Sequence, residues 1–170
     1  MTWRGNIMGI DRLWGCLPYL LPMSQAVYFG LFLFVQVPIL HTIFMPLMQI
    51  SELLDYSILP PLVDLGLIVF ICLYALVVRN TRLHHFVRFN AMQALLLSIG
   101  LYLLLLVLRL FAPVLEVVPT ETLLFIFQIL ASTLFIGMNG ICLYSIVQSV
   151  RGHYAEIPII SEAAYFQVRF

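Results

Sequence analysis

The amino-acid sequence predicts an all-α, polytopic membrane protein, a bundle of four transmembrane helices with both termini on the cytoplasmic side. Hydrophobic residues form 63% of the 170-residue chain and charged residues only 9%, whereas soluble domains carry about 25% charged residues. Several charge-free runs are long enough to cross a hydrocarbon core of about 30 Å as helices. Basic and acidic segments also alternate along the chain, which is typical of an even number of crossings.

The arginines determine the predicted orientation, because positive residues favour the cytoplasmic side of a membrane. Seven of the eight lie before the first apolar stretch, between the second and third predicted spans, or after the last span: Arg4, Arg12, Arg79, Arg82, Arg88, Arg151 and Arg169. The two regions between them hold only acidic charge: Glu52, Asp55, Asp64, Glu116 and Glu121. Arg109 is the exception, and we interpret it as a structural residue near the far end of the third span.

Three spans follow from uninterrupted apolar runs over residues 65–78, 91–108 and 122–147. The stretch Leu13–Ser51 also lacks charge, but it contains four prolines, each of which weakens or ends a helix. Two spans in this stretch would separate the basic segments onto opposite sides of the membrane. The sequence therefore predicts one span here, within residues 25–48.

The chain then divides into three parts. Residues 1–24 form an N-terminal interfacial segment, partly inserted around Trp14–Pro22, and residues 25–150 form the four-helix transmembrane domain. Residues 151–170 form a cytoplasmic tail. In this tail Ser161 is placed to start a short amphipathic helix that lies on the membrane, or alternatively docks a partner.

Sequence motifs for catalysis and cofactor binding are missing. The chain has no nucleophile elbow, zinc-protease motif, phosphate-binding glycine loop or pair of intramembrane carboxylates. The cysteines Cys16, Cys72 and Cys142 are widely separated in apolar surroundings, which predicts packing instead of a zinc site or disulfide. His41 is interpreted as an interior histidine, with a proton or metal site as the alternative. We expect no enzymatic activity, no cofactor and no nucleic-acid partner.

The entry into the third span is basic and aromatic. Arg79, Arg82 and Arg88 are candidate contacts for anionic lipid headgroups or partner proteins, at about 1 kcal/mol for each basic residue. Deeper in the span, Asn90 and Gln93 need hydrogen-bond partners, which neighbouring helices supply at about 0.6 kcal/mol each. A substrate path lined by these two amides is the alternative.

The fourth span concentrates polar and small residues: Gln128, Thr133, Gly137, Asn139 and Gly140. Thr133, Gly137 and Gly140 follow at spacings of four and three, which predicts a groove where another helix can approach closely. A polar seam in a conducting pathway is the alternative, with Asn139 and Gln128 as its candidates.

Three stretches of the sequence resemble a known membrane-protein family. They are CLPYLLP (Cys16–Pro22), VVRN followed by HFVRFNAMQALLL (Val77–Leu97), and YSIVQSVRGHYAEIPIISEAAYFQVR (Tyr144–Arg169). Together they resemble the small polytopic subunit of the TIC protein-import translocon of the chloroplast inner envelope and its cyanobacterial and plastid-encoded homologues. The resemblance implies four helices with both termini on the stromal or cytoplasmic side, and membership of a protein-import complex.

The resemblance also places the family motif on particular residues: Arg88, Phe89, Asn90, Gln93, Tyr154, Glu156, Pro158, Ser161 and Glu162. None of them is an established catalytic residue. Ser98 departs from the pattern, because an acidic residue is expected at that position.

Two functional hypotheses follow. The resemblance implies a channel-forming or channel-associated subunit that works with translocon subunits and precursor proteins, as a homo- or hetero-oligomer. The alternative is a non-conducting structural or assembly protein in a cyanobacterial membrane, since four Leu-rich helices are too apolar to enclose a peptide-wide pore alone. No targeting extension is visible, so we expect a cyanobacterial plasma or thylakoid membrane, or the plastid inner membrane for a plastid-encoded protein.

Overall fold

The structure, a computed structural model, describes residues 7–59, 63–115 and 120–168. In order, its elements are helix α1 (Gly9–Cys16), a 3-10 turn (Leu17–Tyr19), α2 (Leu20–Ala26), a second 3-10 turn (Val27–Gly30), α3 (Leu31–Gln36), α4 (Pro38–Leu54), strands β1 (Ser57–Leu59) and β2 (Val63–Asp64), α5 (Leu65–Cys72) with a π-helical continuation (Leu73–Val78), α6 (His85–Leu115), α7 (Thr120–Val150) and α8 (Ile160–Val168). The predicted helical class is confirmed. The antiparallel pair β1–β2 was not indicated by the sequence.

Three helical stretches in the described parts are long and apolar enough to cross a membrane: Gly9–Gln36, His85–Leu108 and Thr120–Val150. Two apolar helices are shorter, Pro38–Leu54 and Leu65–Val78. The runs predicted as the second, third and fourth spans are therefore helical throughout. The chain is an integral membrane protein with three to five helices of membrane-spanning character.

The first predicted span, residues 25–48, is not one continuous helix. Val37 has φ −129° and ψ 85°, and it separates α3 from α4. Pro38 explains the break, because a proline ring disfavours the helical conformation of the residue before it. Pro46, by contrast, lies inside α4.

The N-terminal segment lies within the bundle. Tyr19 and Pro22 are fully buried, and α2 packs against both α6 and α7. α2 also runs across the expected boundary between residues 24 and 25. The part expected at the membrane interface therefore forms the first half of the apolar stretch Gly9–Gln36.

The start of α1 and the end of α7 lie at the same end of the molecule. Arg12 Nη1 donates to the carbonyl of Val150 at 3.4 Å. Gly152 follows with φ 77°, and a Cβ there would lie 3.1 Å from Arg12 Nε, so glycine is required for both backbone and space. Helices α6 and α7 run antiparallel, since one core cluster joins Leu97 to Cys142 and another joins Leu101 to Phe135.

Some predictions concern residues of which the structure says nothing. Arg4, Glu116 and Arg169, which contributed to the charge alternation, lie outside the described residues, as does the side chain of Arg109.

Candidate functional site: a buried polar junction

The most extensive polar cluster inside the described bundle joins four separate segments of the chain. Its side chains, which we call the polar junction, are Tyr19, Asn90, Gln93, Ser149 and Ser161. All five are buried, and Tyr19, Asn90, Gln93 and Ser149 have no exposed surface. The N-terminal segment, α6, α7 and the tail therefore meet at one point.

Gln93 connects the N-terminal segment to the tail. Its Nε2 donates to the Ala155 carbonyl at 2.9 Å and to Ser161 Oγ at 2.8 Å. Its Oε1 accepts from the Tyr19 hydroxyl at 2.7 Å. Ser161 Oγ in turn accepts from the Ile157 amide at 2.6 Å. One side-chain amide on α6 thereby bonds groups on two other segments of the chain.

Asn90 connects α6 to the end of α7. Ser149 Oγ donates to Asn90 Oδ1 at 3.1 Å, and Asn90 Nδ2 donates to the Phe86 carbonyl at 2.9 Å. The Tyr19 hydroxyl lies 3.0 Å from the same Oδ1. Because a phenol has a single proton, Tyr19 donates to Gln93 or to Asn90, and the Gln93 distance is the shorter one.

A glycine allows α1 to approach this region. A Cβ on Gly15 would lie 2.9 Å from Phe86 Cε1 and 3.1 Å from Asn90 Nδ2. Real Cβ atoms are rarely so close to neighbours, so any larger residue would push α1 away from α6. Close contact of these two helices keeps Asn90 out of solvent.

An aromatic cluster covers the junction on the tail side. Phe89 contacts Tyr165 with ring centroids 4.4 Å apart and Tyr154 with centroids 5.1 Å apart. Phe86 meets Tyr154 edge-to-face at 5.2 Å, and His85 Nδ1 lies 3.2 Å from the Tyr154 hydroxyl. Aromatic pairs of this kind contribute about 0.5–1.5 kcal/mol beyond burial.

The predicted tail helix is present as α8, but it packs on the bundle. Ala164 and Val168 are buried in the same cluster as Leu21 and Phe89. Ile159, just before α8, has φ 68° and is 82% exposed. A β-branched residue is strained in this backbone conformation. The packing of α8 against the bundle therefore outweighs the preference of Ile159 for a negative φ.

The three candidate arginines occupy two environments. Arg79 and Arg82 are exposed in the turn between the π-helical segment and α6. Arg88 is only 7% exposed, and its Nε donates to the Val78 carbonyl at 2.8 Å. Arg88 therefore lies in a different environment from the other two, and its guanidinium satisfies a carbonyl at the end of the π-helical segment.

The candidates on α7 differ in their exposure. Thr133, Gly137 and Gly140 are exposed, and a Cβ at either glycine would meet nothing within 4 Å. Asn139 is 4% exposed, and its Nδ2 donates to the Phe135 carbonyl at 2.9 Å. Gln128 is half-buried. No helix of this chain fills the small-residue groove within the described residues.

The histidine and the cysteines considered in the sequence analysis are not members of the polar junction. His41 is exposed on α4, edge-on to Phe34 with centroids 6.2 Å apart, so it is not an interior residue of this bundle. The cysteines are free, with Cys142 buried, Cys16 half-buried and Cys72 exposed.

Sequence analysis found Asn90, Gln93 and Ser161 but missed Tyr19 and Ser149. The tyrosine stands in the stretch CLPYLLP, and Ser149 in the stretch after Tyr144. Each of the three stretches that resemble the family thus contributes a residue to the polar junction. Their shared resemblance was the sequence signal that could have identified Tyr19 and Ser149.

These features define a class: a mainly helical polytopic membrane protein whose N-terminal segment, long helices and C-terminal tail are joined by a buried polar junction. Comparison with known proteins then gives the family. A family model described as "Chloroplast import apparatus Tic20-like" matches residues 10–164. The chain belongs to this family.

Curated relatives cover nearly the whole chain. A "Tic20 family protein" of Synechocystis is 43% identical over 164 residues, 95% of each chain. The "Tic20 family protein Ycf60" of Pyropia yezoensis is 32% identical, covering 92% of this chain and 75% of its own. The "Protein TIC 20-II, chloroplastic" of Arabidopsis thaliana is 30% identical, covering 91% and 70%. The recognised resemblance and the expected location in a cyanobacterial or plastid membrane are confirmed.

Proposed function

We propose that this protein is a channel-associated subunit of protein-transport machinery, and that it does not form a pore alone. Family membership supports a role related to protein import. The main structural support is that Asn90 and Gln93 are completely buried and hydrogen-bonded within the chain. Amides engaged in this way cannot hydrate a passage for a polypeptide.

The outer face of α7 supports contact with another subunit. Thr133, Gly137 and Gly140 lie on this face, with open space above both glycines. Small residues let two helix backbones approach closely in a membrane, where packing and not hydrophobicity drives association. We assign this face, called the α7 outer face, to another translocon subunit or a second copy of the chain.

We further propose four crossings with both termini on the cytoplasmic or stromal side. The crossings are Gly9–Gln36, Leu65–Val78, α6 and α7, and α4 lies beside them as a non-crossing helix. The contact between Arg12 and Val150 supports a shared side for the two ends. Arg79 and Arg82, in the turn before α6, then lie on the same side, in agreement with the positive-inside rule.

A photo-crosslinking experiment in the native membrane tests the proposal. A photoreactive residue at Ile136, 61% exposed beside the α7 outer face, is compared with one at Leu76, 65% exposed on the π-helical segment. We expect Ile136 to form adducts with a membrane subunit or a second copy, and Leu76 to react mainly with lipid. Identical adducts at both positions, or none at Ile136, would contradict the assignment.

The second candidate function is a structural or assembly protein that contacts no substrate. The burial of the polar junction favours it as well, because the junction serves the fold of the chain itself. Crosslinking to a precursor polypeptide that is arrested during transport distinguishes the two functions. Adducts between the precursor and this subunit support a transport role, whereas adducts with resident membrane proteins alone support the structural role. Neither proposal assigns a catalytic step to the chain.

A further inference from the structure

An elongated apolar groove runs along the side of the bundle, at the end that carries Arg79 and Arg82. Its volume is about 420 Å³, within the range of about 300–1,000 Å³ that ligand pockets occupy. One wall is the N-terminal segment, with Trp14, Leu17 and Leu21, and the other is α5 and its π-helical continuation, with Val69, Leu73 and Val77. We call this feature the lateral groove.

The shape of the lateral groove fits a hydrocarbon chain. Val69 and Val77 are eight residues apart on one helical segment, which corresponds to about 12 Å of length. Ile50 and Leu54 of α4 line it as well. Trp14 and Leu17 are 57% and 51% exposed, so the groove opens to the side, where lipid has access.

Two basic residues stand in the turn beside one end of the lateral groove. Leu83 lines the groove, and it belongs to the same turn as Arg79 and Arg82. Asn80 fixes this turn, because its Oδ1 accepts from the Arg82 amide at 3.0 Å and its carbonyl accepts from the Leu83 amide at 3.1 Å.

The facing acidic group is already engaged. Asp11 is the carboxylate that lines the groove, and its Oδ2 accepts from the Met8 amide at 3.1 Å. Arg12, next to it, is directed to the Val150 carbonyl. Within the part of the chain that the structure describes, the guanidiniums of Arg79 and Arg82 are exposed and accessible to a ligand that combines negative charge with an acyl chain.

We propose that the lateral groove binds one acyl chain of an anionic glycerolipid whose headgroup is held by Arg79 and Arg82. Two basic residues at a membrane surface favour an anionic over a neutral headgroup by roughly thirtyfold. The preference weakens as salt screens the charges. Binding would fill the space between the N-terminal segment and α5 without any contribution from a partner protein.

Fluorescence quenching tests this site, because Trp14 lies in it. With Trp3→Phe in the background, Trp14 is the remaining tryptophan of the sequence. The protein is reconstituted in phosphatidylcholine vesicles that contain a minor fraction of lipid with brominated chains, either phosphatidylglycerol or phosphatidylcholine. We expect brominated phosphatidylglycerol to quench Trp14 much more strongly, and equal quenching by both lipids overturns the proposal.

Matched variants separate a site from general attraction to the charged surface. Arg79→Gln with Arg82→Gln should abolish the preference for phosphatidylglycerol, while Arg151→Gln, an exposed arginine outside the turn that leads to the lining residue Leu83, should retain it. Equal loss in both variants overturns a defined site. Leu73→Phe narrows the groove and should reduce quenching by phosphatidylglycerol. Leu106→Phe, on a surface position 54% exposed, should not, and an equal effect of the two also contradicts the proposal.

Discussion

The hydroxyl of Tyr19 lies 2.7 Å from Oε1 of Gln93, across the interface between the N-terminal segment and α6. Both side chains have no exposed surface. In the membrane interior water cannot replace a missing donor, so this pair fixes the position of the N-terminal segment relative to α6.

Tyr19→Phe removes the donor and leaves the buried amide oxygen of Gln93 without its partner. We expect a loss of about 1–3 kcal/mol in the free energy of unfolding, measured by denaturant titration in detergent. Tyr56→Phe is the control, since Tyr56 is 68% exposed and its change should be within about 0.5 kcal/mol. Equal losses of stability in the two variants would contradict the role of the Tyr19 hydroxyl in holding the N-terminal segment against α6.

Gln93→Leu keeps the size of the side chain but leaves the Ala155 carbonyl, Ser161 and Tyr19 without their amide partner. We expect the tail to detach, which exposes the segment between α7 and α8 to protease. Gln128→Leu is the matched control on α7, where Gln128 is half-buried. Protection of the tail in the Gln93 variant would show that the aromatic cluster alone holds α8.

Replacing Gly30 and Gly137 by alanine should change the stability of the protein in opposite directions. A Cβ on Gly30 would lie 2.8 Å from ring atoms of Phe135 and Phe34, so Gly30→Ala should cost about 1–3 kcal/mol through overpacking. Gly137→Ala meets nothing within 4 Å and should add about 1 kcal/mol of helix stability. Thermal unfolding in detergent measures both. Destabilisation by Gly137→Ala would mean that α7 packs differently.

Asn139→Leu distinguishes packing from conduction. Asn139 is 4% exposed, and its Oδ1 has no hydrogen-bond partner among the described residues. Replacing it with an apolar residue of similar size should leave stability unchanged or raise it by up to about 1 kcal/mol. If Asn139 serves the fold alone, protein import by the variant in a reconstituted assay stays at the level of the original chain. A selective loss of import with normal stability would place Asn139 on a transport path.

Ile159→Asn relieves the backbone strain before α8. The left-handed conformation costs a β-branched residue about 1–2 kcal/mol, whereas asparagine tolerates it. Because the side chain is 82% exposed, little packing is lost, and slower amide hydrogen exchange in α8 should follow. Faster exchange would indicate that the isoleucine side chain itself stabilises the docked tail.

Much of the fold could be predicted, because long apolar runs have one stable solution in lipid. The helices over 65–78, 91–108 and 122–147 followed from this rule. The first stretch was harder to predict, since its prolines act differently: Pro38 comes directly after the break at Val37, but Pro46 lies within α4. Sequence spacing does not reveal which local cost tertiary packing will override.

The candidate site was only partly predictable for a related reason. A side-chain amide within a predicted span needs a hydrogen-bond partner, and this requirement identified Asn90 and Gln93 as candidates. The partner itself is a long-range contact, and Tyr19 is 74 residues from Gln93 along the chain. Arg88 shows the same limit, because its place among basic residues in the sequence does not reveal that it is only 7% exposed.

The position of Ser161 in the polar junction has a consequence for biosynthesis. Gln93 belongs to α6, but two of its partner groups, the Ala155 carbonyl and Ser161 Oγ, are translated after α7 is complete. Until then two of the three hydrogen bonds of the Gln93 side chain are unmade, and Phe86 and Phe89 of α6 lack their contacts with Tyr154. Docking of the tail is thus a late step of biosynthesis that cannot begin before Ser161 has been translated, and a chain truncated before Ser161 leaves these contacts unmade.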